Sequence, residues 1–71
     1  MHNRHLPSAS SVMKERRLAR GLTQEQVAKI AGVDRTTITK IENGTSTPSV
    51  KTAQKIAQVL DFDWTIFFCF Q

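Results

Sequence analysis

Within nine consecutive residues the chain sets out Arg35, Thr36, Thr39, Lys40 and Asn43: a guanidinium, two hydroxyls, an ammonium and a carboxamide. At the helical step of about 100° per residue, these five fall inside one arc of about 140°. Ile38 and Ile41 fall on the opposite side, between about 240° and 300° on the same wheel. A segment divided this way buries one edge and leaves the other free for a ligand. The free edge carries long cationic donors with short hydroxyl and methyl groups between them, a mixture suited to phosphate oxygens and to base edges in a major groove. Arg35 has the fork for a guanine edge, and the threonine methyls match thymine methyls. The competing reading of the same residues is an ordinary solvated helix face.

Other chemistries are poorly provided for. Cys69 is the only cysteine, so neither a disulfide framework nor a cysteine-based zinc site can be built, and it reads as a small hydrophobe. His2 and His5 lack a third ligand for a metal. No nucleophile, base and orienting group recur at a spacing that short helices can bring together. The expectation is therefore a protein without enzymatic activity, cofactor, metal or evident small-molecule ligand.

The elements that must position the Arg35–Asn43 face are short and well punctuated. Residues 1–10 hold Pro7, small polar residues and two histidines without an apolar period, and read as a flexible arm, Arg4 being available for phosphate. Order is expected from Ser11, with a first helix over SVMKERRLAR that stops at Gly21. Thr23 followed by Gln26 has the form of a capping box opening a second helix, which runs to Ala31 with Val27, Ile30 and Ala31 on one face. Gly32 ends it, only the three residues Gly32 to Asp34 separate it from the next start, and Asp34 stands as N-cap of a third helix that closes at Asn43-Gly44. TSTPS is turn chemistry, and Val50, Ala53, Ile56, Ala57 and Leu60 then repeat at helical spacing. Asp63 can cap a last short helix across WTIFFCF, a run whose aromatic and β-branched residues also allow a strand.

Length and charge agree with one small basic domain over residues 11–71. With 71 residues there is room for one core, and a core of this size is marginal without tight packing or a partner subunit. All ten Lys and Arg lie in residues 1–60 against four of the six acids, while Asp61 and Asp63 make the tail negative. A basic body points to a polyanion at one surface. No apolar run approaches the roughly 18 residues that span a bilayer, and MHNRHLPSAS lacks the apolar stretch of a secretion signal, so a cytoplasmic location without membrane contact is expected.

The short second helix, three-residue turn and two-sided third helix together form a helix-turn-helix, in which the second of the two helices is held outward. At this point GLTQEQVAKIAGVDRTTITKIENG followed by PSVKTAQKIAQVL resembles the Cro and phage-repressor (XRE) family of helix-turn-helix regulators, over residues 12–68. The elements that carry the resemblance are Gly21-Leu22-Thr23-Gln24, the turn Gly32-Val33, and Ile38 with Ile41-Glu42-Asn43-Gly44. It implies an all-α, compact five-helix bundle, with Gln24 on phosphate and Arg35, Thr36, Thr39 and Lys40 facing bases or backbone. Asn43, Thr45 and Ser46 either donate to a further phosphate or build the turn. The resemblance also implies a salt bridge from Arg17 to Glu42, joining the first helix to the end of the third. An exposed pair of this kind is worth under about 1 kcal/mol. Arg16 departs from the pattern, standing where relatives carry Leu, so the first helix relies on Met13 and Leu18 for packing.

The tail supplies more large apolar surface than one inner face needs. Trp64, Phe68 and Phe70 are expected at a homodimer interface, the alternative being that they only close the core. Two-fold pairing would set two third helices about 34 Å apart on a palindromic duplex site. The expected function is a sequence-specific double-stranded DNA-binding regulator, in particular a repressor. The alternative is an antitoxin-like or other protein-interaction module whose apolar tail binds another protein.

Overall fold

The computed structural model describes residues 8–68, and these form α1 (Ala9–Ala19), α2 (Gln24–Ala31), α3 (Arg35–Glu42), α4 (Val50–Leu60) and a 3-10 segment (Trp64–Phe68). Most of the expected arm through Pro7, as well as Cys69 and Phe70, lies outside the described residues. The described residues contain no strand. None of the helices is long and apolar enough to cross a membrane.

α1 starts two residues before the sequence suggested. The small polar residues that read as loop supply its cap: the Ser8 hydroxyl accepts from the Ser11 amide at 3.1 Å, which lets Ala9 and Ser10 enter the first turn. The helix closes on Gly21, whose φ of +68° is the left-handed conformation open to glycine at little cost. Gly21 N–H then bonds the Leu18 carbonyl, and Leu22 N–H the Arg17 carbonyl, which turns the chain sharply toward α2.

The capping box predicted for α2 is present on both sides. Gln26 N–H donates to the Thr23 hydroxyl at 3.0 Å and Thr23 N–H donates to the Gln26 side-chain oxygen at 2.8 Å. Asp34 occupies the N-cap of α3 as expected, but its carboxylate accepts no capping hydrogen bond. Its backbone carbonyl instead accepts from Thr37 and Ile38.

Met13, Val27, Ile38, Ile41, Ile56 and Leu60 are fully buried, and Ala28, Ala31, Ala53 and Ala57 fill the spaces where helices approach closely. Two expectations fail here. Ile30 is 63% exposed and Leu18 is 58% exposed, whereas Ala28 is buried. Over eight residues the buried stripe of α2 is narrow, so Val27, Ala28 and Ala31 take it and Ile30 falls beyond its edge.

The absent apolar residue at position 16 is compensated by a polar tie. Arg16 Nη1 donates to the Asp61 carbonyl at 2.9 Å, linking α1 to the end of α4. Asp61 ends α4 in the left-handed region at φ +58°, and Phe62 N–H bonds back to the Ala57 carbonyl.

The expected fifth α-helix is a 3-10 segment. The Asp63 carboxylate accepts from the Thr65 amide at 3.0 Å and its hydroxyl at 2.8 Å, starting the turn, but Thr65 and Ile66 are β-branched and the run is only five residues. These two bonds, hydroxyl first, lower the Asp63 carboxyl below its ordinary range. Phe62 and Phe67 meet edge to face at 5.7 Å and close the bottom of the core.

Candidate nucleic-acid interface

α3 is oriented by what it buries. Ile38 is 0% and Ile41 2% exposed, each worth roughly 1.5–3 kcal/mol in apolar burial, so the helix cannot roll without exposing them. Arg35, Thr36 and Lys40 are consequently exposed, and Thr39 is half-buried at the edge facing α2. The division predicted from the wheel is thus present in three dimensions.

The far end of α3 is closed by Gly44 at φ +76°. Gly44 N–H bonds the Ile41 carbonyl at 3.1 Å and Thr45 N–H bonds the Lys40 carbonyl at 3.0 Å. The Thr45 hydroxyl donates to that same Lys40 carbonyl at 3.1 Å, a bond that helps to build the turn. Asn43 and Ser46 are exposed beside it, and buried Pro48 pins the loop that carries them.

A buried ionic cluster joins α3 to the rest of the molecule. Arg17 Nε donates to Glu42 Oε2 at 2.6 Å, Arg17 Nη2 to Glu42 Oε1 at 3.1 Å, and Arg17 Nη1 to the Leu22 carbonyl at 2.8 Å. The side chains retain only 10% and 2% exposure, so this is a forked, desolvated pair and not the weak surface pair that was the alternative. Leu22 was not foreseen as a partner. Its signal in the sequence was its position after Gly21, where the chain reverses and directs a carbonyl back at α1.

The cluster extends to Gln24, the first residue of α2. Gln24 Nε2 donates to Glu42 Oε1 at 3.1 Å, and the Thr39 hydroxyl donates to Gln24 Oε1 at 2.8 Å. Gln24 and Thr39, read separately as contacts to a ligand, are therefore bonded to each other across the α2–α3 junction. Arg35 reaches the same place, lining with Gln24, Glu25 and Leu18 a shallow notch at the start of α2.

In the tail, Trp64 and Phe68 stack edge to face at 6.0 Å and remain half-buried, away from the fully enclosed core. Among the described residues no group of three His, Cys, Asp or Glu side chains is placed to hold a metal ion.

The helix-turn-helix family model matches residues 13–67. This chain belongs to the helix-turn-helix family. An HTH-type transcriptional regulator of Bacillus subtilis, YqaF, is 55% identical over 56 residues, 79% of this chain and 74% of that protein. The ImmF control region 10 kDa protein of Bacillus phage phi105 is 36% identical over 79% of this chain and 62% of its own length. Among solved structures, the restriction-modification controller protein C.AhdI of Aeromonas hydrophila superposes with a TM-score of 0.74 at 32% identity, covering 83% of this chain and 89% of that one. An HTH_3 family transcriptional regulator of Vibrio cholerae matches at TM-score 0.71 and 34% identity, and there the match spans only 33% of that longer chain. This helix-turn-helix chain thus falls among transcriptional regulators, a non-enzymatic family, in line with its sequence.

Proposed function

We propose that the chain is a cytoplasmic, sequence-specific regulator of transcription that binds duplex DNA with α3 in the major groove. The observation that carries this reading is the outward face of Arg35, Thr36 and Lys40, held there by Ile38 and Ile41 buried on the other side. Arg35 reads a base edge, Thr36 and the aliphatic part of Lys40 lie against the groove floor or wall, and the Lys40 ammonium meets phosphate. Gln24 at the start of α2 and Asn43 and Ser46 after α3 grip the flanking backbone, each beside a helix end or turn that the fold makes rigid. Thr45 serves the same surface by building its turn, and Thr39 serves it through Gln24.

The protein works as a homodimer on a palindromic operator and represses by occupying it. Trp64 and Phe68, stacked yet half-exposed, support a contact with a second copy, and Phe70 extends the same run. The similarity to a restriction-modification controller and to a phage control-region protein supports a regulatory role.

Selection of bound fragments from random duplexes defines the operator, and titrations on that duplex and a scrambled one then test the residue roles. Arg35→Ala loses roughly 1–3 kcal/mol of discrimination, whereas Lys40→Ala and Gln24→Ala weaken both duplexes evenly. Equal losses on both duplexes for Arg35→Ala would remove its reading role, and indifference of the wild-type protein to every duplex at low salt would end the proposal.

A further inference from the structure

The contacts between α2 and α3 fix more than distance: they fix which way the Gln24 amide faces. Glu42 Oε1 lies 3.1 Å from the nitrogen of that amide, and an ionised carboxylate offers no proton. Turning the amide over would set its oxygen against the carboxylate, two acceptors without a hydrogen between them. The nitrogen must face Glu42, and Gln24 Oε1 must face Thr39. The Thr39 hydroxyl has one proton and two oxygens within reach, Gln24 Oε1 at 2.8 Å and the Arg35 carbonyl at 3.1 Å. If the proton went to Arg35, the hydroxyl and amide oxygens would stand 2.8 Å apart unbridged. The proton therefore lies on the Thr39–Gln24 line, the shorter of the two.

All but one of the cluster's side-chain donors named here are spent within it. Arg17 and Gln24 donate to Glu42, and Thr39 donates to Gln24. The Gln24 nitrogen carries two hydrogens, one of which is spent on Glu42. The other has no protein partner among the described residues, and Gln24 lines the open notch at the start of α2 that Arg35 also lines.

We infer that Thr39 is a positioning residue: with Glu42 it locks the Gln24 amide so that a single N–H, and not the carbonyl, is presented to a DNA phosphate. This rests on the duplex-binding function proposed above and assigns Thr39 a role other than base reading. Its hydroxyl proton is committed, so it has none to give to a guanine N7 or O6 or to a phosphate oxygen. Loss of Thr39 then acts through Gln24, and it acts on any sequence.

The test compares wild type, Thr39→Val, Thr39→Ser, Gln24→Ala and Thr39→Val/Gln24→Ala on the selected operator and a scrambled duplex. Thr39→Val is near-isosteric and removes only the hydroxyl. It weakens both duplexes by the same factor, about 3- to 10-fold for one lost hydrogen bond. In the Gln24→Ala background it changes affinity by less than about twofold, because the group it positions is gone. Thr39→Ser keeps the hydroxyl and retains affinity within about twofold. A Thr39→Val loss confined to the operator, or one that persists undiminished without Gln24, overturns the inference in favour of direct base contact.

A second readout needs no DNA. The side-chain amide order parameter of Gln24, measured by NMR on the free protein, is higher in wild type and falls in Thr39→Val. An unchanged order parameter also overturns the inference. Should the wild-type protein bind no duplex, the proposed function falls, while this measurement still decides whether Thr39 holds Gln24.

Discussion

Replacing Arg17 with methionine removes three hydrogen bonds at once and leaves the Glu42 carboxylate, 2% exposed, with Gln24 as its remaining partner. Methionine has nearly the length of the arginine stem and good helix propensity, so packing along α1 is largely kept and the change isolates the charge. Stranding one member of a buried pair costs about 3–5 kcal/mol. A chain of 71 residues has a total stability of about 4–10 kcal/mol, so the variant loses from about a third of its stability to all of it. In urea, followed by far-ultraviolet circular dichroism, a slope of about 1 kcal/mol/M places the midpoint about 3 M or more below wild type, or leaves no folded baseline. The companion variant Arg17→Met/Glu42→Leu removes both charges and recovers to within about 2 kcal/mol of wild type, since an apolar pair of similar volume can replace a buried ion pair. A loss under about 1 kcal/mol for Arg17→Met would show that the pair behaves as a surface bridge. A double variant no more stable than the single would show that the lost energy is packing and not the uncompensated carboxylate.

Four further outcomes are expected. Gly32→Ala meets no atom within 4 Å yet must adopt φ +74°, so thermal melts show a cost of about 1 kcal/mol from backbone conformation alone. Asp61→Gly relieves a left-handed non-glycine residue at φ +58° and gives up only an exposed 3.7 Å pair with Arg20, for a net gain of about 0.5 kcal/mol in the same assay. Ile38→Ala costs about 2–5 kcal/mol in urea unfolding, whereas Ile30→Ala, at 63% exposure, stays within about 0.5 kcal/mol. Because the Asp63 carboxyl is lowered in the folded state, its contribution is present above the ordinary aspartate range and is lost as pH falls through the lowered value; acid titration of Trp64 fluorescence shows a step there that Asp63→Ala abolishes.

The placement of α3 was largely legible because its cues are local. Gly32 and the Asn43-Gly44 pair bound the helix, and two isoleucines three apart with polar residues opposite assign its faces without reference to any other element. Thr23 and Gln26 announced their capping box for the same reason, the partners being three residues apart. The places where the pattern misled depend on neighbours. Ile30 fits the period of α2 but falls off the narrow strip that α3 and α4 cover, and Leu18 does the same on α1. Asp34 has the chemistry of a cap, yet its side chain does not take that bond. The tail, rich in residues that suit several backbones, became a 3-10 turn once Asp63 and Thr65 had bonded.

What the sequence alone determined was therefore the first four helices, most of their ends and the sidedness of α3, because capping, glycine conformation and apolar period act over four residues or fewer. Tertiary structure decided the cluster of Arg17, Leu22, Gln24, Thr39 and Glu42, whose members are up to 25 positions apart in a single bond. Which of two acceptors receives a hydroxyl proton, and which way an amide faces, depends on atoms delivered by two different helices to within about 3 Å of each other. No period or motif encodes that, since it exists only once the buried isoleucines have fixed where α3 lies against α2.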